Sequence, residues 1–280
     1  MPQIVHSAAD RDCSLHSSKA RYDFSRVEAR PVICSNVSNK CGIIEAMSSL
    51  YIRSLGEPPA SIWGLSAAQI RDLAASPRPT PGGGSVSIFT ATLGLALVHK
   101  GASISLKRVG EDITRREALI LLCEEINHAL ASTSRLADDD SRAFQEYLDA
   151  RSLPRTTEEE KTFRNATMET AILNATRVPI TAAREICAGL ERAERAVKLS
   201  DLHLLTDIFG GALLMKTAVE TVLLNVVANV SLLSDEGTRA ELQAERIEME
   251  RSSTALGESI ALAYQARTSN LGDITGNSAE

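Results

Sequence analysis

Three consecutive acids, Asp138, Asp139 and Asp140, stand in the run LADDDSRAF, and a fourth, Asp207, stands in HLLTDIFGGALL. A carboxyl group taken out of water resists ionisation, and two carboxyls held near one substrate can give a proton at one atom and take one at another. That is general acid–base chemistry. Successive helical residues lie about 100° apart around the axis, so the three neighbouring acids cannot all be buried and one of them can face inward. Ordinary surface acids are the plainer alternative. Asp207 follows His203 by one helical turn and has little charge around it. It is either buried beside a partner, set in a cavity wall, or placed to favour the first turn of a helix with its charge.

A second feature with chemical potential is the run SPRPTPGGGSV, residues 76–86. Pro77, Pro79 and Pro81 hold the chain extended. Gly82, Gly83 and Gly84 then permit close backbone approaches, and Ser85 is expected to cap the helix that follows. Free N–H groups at such a helix start suit an anion; a simple turn into a core helix is the alternative. Asn225 and Asn229 share a face one turn apart inside an apolar run, as a polar line on a cavity wall or a hydrogen-bonding stripe between helices. Lys216 and Glu220 read as a surface pair, and His99 and His128 stand alone. No nucleophile triad is recognisable, and PGGGS lacks the following lysine of a phosphate loop. The five cysteines have no CxxC spacing and no paired histidines, so no metal site is expected.

The elements that must position these residues are helical. Hydrophobic residues make up 44% of the 280 and aromatics only 4%, a composition suited to closely packed helices. A net charge of −6 gives no basic face for nucleic acid. Residues 66–75 form a short helix opened by a capping box at Ser66 and Gln69. Residues 86–106 form a core helix of small residues, nearly long enough to span a membrane but carrying His99 and Lys100, so a buried soluble helix is expected. Apolar spacing predicts helix over 112–150, then a loop at Pro154 and a capping box at Thr157 and Glu160. The next helix is expected to stop before Pro179, with another over 180–197. A second apolar helix covers 203–233 and its Gly210-Gly211 pair invites a close neighbour. An outer helix covers 235–267. Residues 1–60 are expected to be a disordered extension, with Met47 an alternative start, residues 61–268 the domain, and 269–280 a flexible tail. An odd cysteine count without a recognisable secretion signal fits a cytoplasmic protein. The fold class is all-α, a multi-helix bundle around two long apolar helices.

PTPGGGSV with its small-residue helix resembles the opening signature of the cyclodeaminase/cyclohydrolase family. LADDDSRAF, the loop at SLPR, the EEEK run, the helix before VP and LLTDIFGGALLMKTAVETVLLNVVAN are similar to further segments of that family, in the same order over about 65–267. One segment departs: family members read NLTxGKKKY after the core helix, whereas this chain reads SISLKRVGE, with Ser103 and Ser105 for Asn and Thr and only Lys107-Arg108 of the basic run.

The resemblance implies a helical homodimer or higher homo-oligomer acting on a tetrahydrofolate derivative, with no further cofactor. It implies Asp207 and Asp140 as catalytic carboxylates, and Gly82, Gly83, Gly84, Ser85, Ser103, Lys107, Arg108, Asp139 and Asn225 as substrate-binding residues. The reaction implied is closure of 5-formiminotetrahydrofolate to 5,10-methenyltetrahydrofolate with loss of ammonia, in which N10 loses a proton and the departing nitrogen gains one. Hydrolysis of the methenyl compound shares the scaffold. The altered SISLKRVGE segment leaves a non-folate cyclisation or dehydration, or a non-catalytic helical scaffold, as further alternatives.

Overall fold

The computed structural model describes residues 61–269. The expected extension at 1–60, and all of the expected tail but Ser269, lie outside the described residues. The described chain opens with a 3₁₀ turn, Ile62–Gly64, and continues through α1 (Ala67–Ala74), α2 (Gly83–Arg108), α3 (Ile113–Ser152) and α4 (Glu158–Leu199). A second 3₁₀ turn, Leu202–Leu204, leads into α5 (Leu205–Val230), and α6 (Glu236–Thr268) ends the bundle. There is no strand among the described residues. The chain is all-α, as its composition and periodicity predict.

Two helix starts follow directly from local sequence. Ser66 and Gln69 exchange side-chain and backbone bonds at the start of α1, and Thr157 and Glu160 do the same at the start of α4. Each capping box satisfies two N–H groups that a helix leaves unpaired. Gly110 ends the turn after α2 with φ 62°, a conformation that a Cβ disfavours.

Two expectations fail at helix boundaries. Ser85 does not cap α2: the cap position is Gly82, no side chain bonds there, and Ser85 sits buried inside the first turn. Pro179 does not stop its helix either. It lies inside the unbroken α4, where it lacks the N–H that would bond the Ala175 carbonyl. The side-chain amide of Asn229 on α5 bonds that carbonyl instead, at 2.9 Å. The helix continues because tertiary structure satisfies the group the proline leaves open.

By length and composition, α2 and the segment 202–230 could each cross a membrane. Here they pack side by side, with α3 against α2, α4 against both and α6 against α4 and α5. Contacts of Gly84 with Asn225, Gly94 with Gly211 and Gly101 with Ile208 show that α2 and α5 run antiparallel. The Gly94–Gly211 crossing needs both glycines: a Cβ on Gly94 would lie 2.6 Å from the Gly211 carbonyl oxygen, and one on Gly211 would collide with the Gly94 carbonyl. Ile88, Leu95, Val98, Leu119, Leu122, Ile186, Leu190, Ile208 and Met215 fill the core around this crossing. Cys123 and Cys187 are buried free thiols, and burial pushes Cys187 up to about 11.

Candidate active site

The three neighbouring acids of α3 go three ways. Asp138 accepts the Ser61 hydroxyl at 2.7 Å and the Ile62 N–H at 2.9 Å, while Trp63 Nε1 donates to the Ser134 carbonyl, fastening residues 61–63 to α3. Asp139 turns outward and pairs with Arg142 at 2.6 Å. Asp140 turns inward and is 8% exposed.

Asp140 meets the start of α2. Its carboxylate accepts the Ser85 hydroxyl at 2.9 Å, and the Ser85 backbone N–H and the Asn225 side chain also donate to it. The anion that the helix start invites is thus supplied by the protein itself. Gly84 is required for the approach, since a Cβ there would lie 2.5 Å from Asp140 Oδ2 and would collide with the Asn225 amide. Burial raises the Asp140 pKa, and the bonds from Ser85 and Asn225 only partly oppose it. A carboxyl whose ionisation is pushed upward can keep a proton to give.

The carboxyl opens on a cavity of about 250 Å³ lined by Pro79, Thr80, Gly82, Gly83, Gly84, Asp140, Ser141, Phe144, Ala175, Asn225, Ala228 and Asn229. Four distant stretches build it: the proline lead-in with the start of α2, the second half of α3, the stretch of α4 at Ala175 and the end of α5. Gly82, Gly83, Gly84, Asp140 and Asn225 converge here as the sequence suggests, and Ser85 backs Asp140 from behind the wall. Both readings of the asparagine pair hold, because Asn225 and Asn229 line the cavity and Asn229 also bonds α4. Ser141, Phe144 and Thr80 escaped the sequence reading. Phe144 follows Asp140 by four residues, the helical spacing that shares its face, and that was the available signal; Ser141, one residue on, lies about 100° around the helix and carried no such signal.

The remaining expected residues gather at the other end of α2 and α5. Asp207 lies in the first turn of α5 and pairs at the surface with Lys100, at 2.7 Å. At 1.5 Å per residue, about 27 Å of helix separate it from Asn225, so one chain does not bring Asp207 to Asp140. Lys107 and Arg108 are exposed at the end of α2, about 35 Å of helix from Gly84. Arg108 contacts the His203 ring at the same end. Ser103 is half-buried among His99 and Cys123, and burial holds His99 below its ordinary pKa. Ser105, in the segment that departs from the family, is buried, donates to the Gly101 carbonyl and accepts the Asp201 N–H. It therefore ties α2 to the loop before α5. Among the described residues, no group of three or more His, Cys, Asp or Glu side chains is placed to hold a metal ion.

The sequence profile of formiminotransferase-cyclodeaminase matches residues 66–248. The chain is 29% identical over 168 residues to the methenyltetrahydrofolate cyclohydrolase of Methylorubrum extorquens, an alignment covering 60% of this chain and 80% of that protein. It is 29% identical over 163 residues to the formimidoyltransferase-cyclodeaminase of Gallus gallus, covering 58% of this chain and 30% of that protein. The chain thus spans less than a third of the chicken protein's length. The crystal structure of formiminotetrahydrofolate cyclodeaminase from Thermotoga maritima superposes with a TM-score of 0.64 over 72% of this chain and 96% of that one, at 23% identity, a likeness of fold. The matched stretch runs from α1 into α6 and contains every element of the cavity, and on that span the chain belongs to the formiminotransferase-cyclodeaminase family.

Proposed function

We propose that the chain is a folate one-carbon enzyme that closes 5-formiminotetrahydrofolate to 5,10-methenyltetrahydrofolate and releases ammonia. The observation that carries this reading is the buried carboxyl of Asp140, its ionisation pushed upward by burial, at the wall of a cavity. In the reaction N10 bonds to the formimino carbon and loses its proton, and the carbon–nitrogen bond to the departing amino group breaks as that nitrogen gains one. Asp140 in its acid form supplies the proton to ammonia. Phe144 offers a flat apolar wall beside it, and the asparagines of α5 offer polar groups to a heterocycle.

Asp207 joins this site through a second copy of the chain. Between the Asp140 end and the Asp207 end lies an exposed apolar face, with Leu93 on α2 and Leu213, Leu214, Leu224 and Val227 on α5. Leu93 sits midway along α2 from Gly84 to Gly101, and Leu213 and Leu214 lie near the middle of the α5 stretch from Asp207 to Asn225, with Leu224 and Val227 at its Asn225 end. A two-fold axis through the middle of the face exchanges its ends. It sets the partner's Asp207 and the partner's Lys107 against the cavity, as second carboxylate and as cation for the substrate's glutamate. The two clusters then form one site in a homodimer.

Mixing two inactive variants tests both parts. Asp140→Asn and Asp207→Asn should each lower turnover by at least about tenfold. The mixture should regain up to about a quarter of the wild-type rate, because half the dimers are mixed and each of those has one of its two sites intact. A mixture in which hybrid dimers form yet stay as inactive as either parent rules out the shared site. Near-normal rates in both single variants would rule out the assigned roles.

A second reading has a specific observation behind it, the alignment over 80% of the Methylorubrum cyclohydrolase. Water would then attack the methenyl carbon, with Asp140 managing the proton. Absorbance assays of methenyltetrahydrofolate formation and consumption with the purified chain decide between the two.

A further inference from the structure

We propose that Ser141 is the outer hydroxyl of a proton relay that serves Asp140 through Ser85. The inference rests on the cyclisation proposed above and adds to it a route for the N10 proton. Ser85 Oγ, fully buried, lies 2.9 Å from Asp140 Oδ2 and 2.7 Å from Ser141 Oγ. A hydroxyl has one proton to donate. While Asp140 is ionised that proton goes to the carboxylate, so Ser85 must accept its second bond, and the donor is Ser141. The chain then reads Ser141 O–H to Ser85, and Ser85 O–H to Asp140. Once Asp140 is protonated the same oxygens can reverse, with the carboxyl donating to Ser85 and Ser85 to Ser141.

Both ends of this chain open on the cavity, whereas its middle member does not line it. Asp140 and Ser141 can therefore face different atoms of one substrate while remaining connected behind the wall. Asp140 gives its proton to the amino nitrogen as the carbon–nitrogen bond breaks. The carboxylate left behind takes a proton from Ser85, Ser85 takes one from Ser141, and Ser141 takes the proton that N10 loses after it has bonded to the formimino carbon. One proton crosses from N10 to ammonia, and every protein oxygen regains its starting state. The partner's Asp207 is left to hold the substrate. Asp140 is the only titratable side chain among the described residues lining the cavity. The groups facing it are Ser85 on α2 and Asn225 on α5, and its neighbours Asp138 and Asp139 are committed to the Ser61–Ile62 turn and to Arg142.

Ser141→Ala and Ser141→Thr in the full-length chain test the relay by two readouts. The first is kcat against KM for cyclisation. The second is the substrate-free titration of Asp140, followed by the infrared band of its carboxyl and assigned with Asp140→Asn. The relay predicts that Ser141→Ala lowers kcat about tenfold with KM nearly unchanged. It also moves the Asp140 titration to higher pH, because Ser85 loses the donor that polarises it. Ser141→Thr should restore both. A Ser141→Ala protein with unchanged kcat and unmoved titration overturns the relay. Should the wild type turn over neither folate substrate, the proposed reaction fails by itself and the titration alone judges the relay: a shift restored by threonine supports it, and no shift overturns it.

Discussion

The side-chain amide of Asn229 donates at 2.9 Å to the backbone carbonyl of Ala175, the group that Pro179 four residues later leaves without its helical donor. This bond keeps α4 whole beside the cavity. Replacing Asn229 with Leu should cost about 1–3 kcal/mol of stability, since it strands a carbonyl away from water. The cost should shrink in a Pro179→Ala background, where an alanine N–H re-forms the helical bond. Denaturant titration of the four proteins in a double-mutant cycle measures that coupling, and strict additivity would contradict it.

Gly84 and Gly83 make a matched pair of probes. A Cβ on Gly84 would lie 2.5–2.6 Å from both Asp140 oxygens, whereas one on Gly83 meets nothing within 4 Å. Gly84→Ala should displace the carboxyl, lower turnover by at least about tenfold and cost about 1–3 kcal/mol. Gly83→Ala should change stability by less than about 1 kcal/mol. Circular dichroism melts alongside turnover assays compare them.

At the crossing of α2 and α5, Gly211→Ala sets a Cβ against the Gly94 carbonyl and 3.2 Å from Val98 Cγ2. Neither backbone can move without parting the two core helices. A loss of about 2–3 kcal/mol is expected, read as a lower Tm with no change in the identity of the cavity residues.

The Asp140 pKa is raised above its ordinary 3.8, with burial the largest cause. In the window between 3.8 and the raised value, the folded chain keeps a proton that the unfolded chain has released. The stability this contributes is complete below the ordinary value and is lost as pH rises through the folded one. Asp140→Asn should flatten that part of the stability profile, which calorimetry across the acid range measures.

The rate should follow the same proton. Turnover is expected to fall as pH rises through the Asp140 ionisation, because the acid form gives the proton to ammonia. The Ser85 hydroxyl bond lowers the Asp140 pKa, so Ser85→Ala should move the basic limb of kcat to higher pH as it reduces the maximum. A pH–rate profile of the two proteins reads the shift; a limb that stays in place removes Asp140 from the titration.

The sequence alone determined what depends on near neighbours. The capping boxes at Ser66 and Thr157 act within four residues, and the apolar spacing of α3 and the small-residue runs of α2 and α5 already require a helical bundle. The likeness of PTPGGGSV and LADDDSRAF to a family pointed to Gly82–Gly84 and to an inward-facing acid. Tertiary structure decided the rest, because each answer depends on an atom far along the chain. Pro179 reads as a helix stop until Asn229 supplies the missing donor. Ser85 reads as a cap until Asp140 arrives to claim its hydroxyl and its N–H. Which of three consecutive aspartates is buried depends on the rotation of α3 against α2 and α5. The family likeness implies Asp207 and Lys107 in one site with Asp140, yet antiparallel packing of α2 and α5 puts them at the far end of those two helices. Periodicity fixes the face of a helix, but only packing fixes what that face meets.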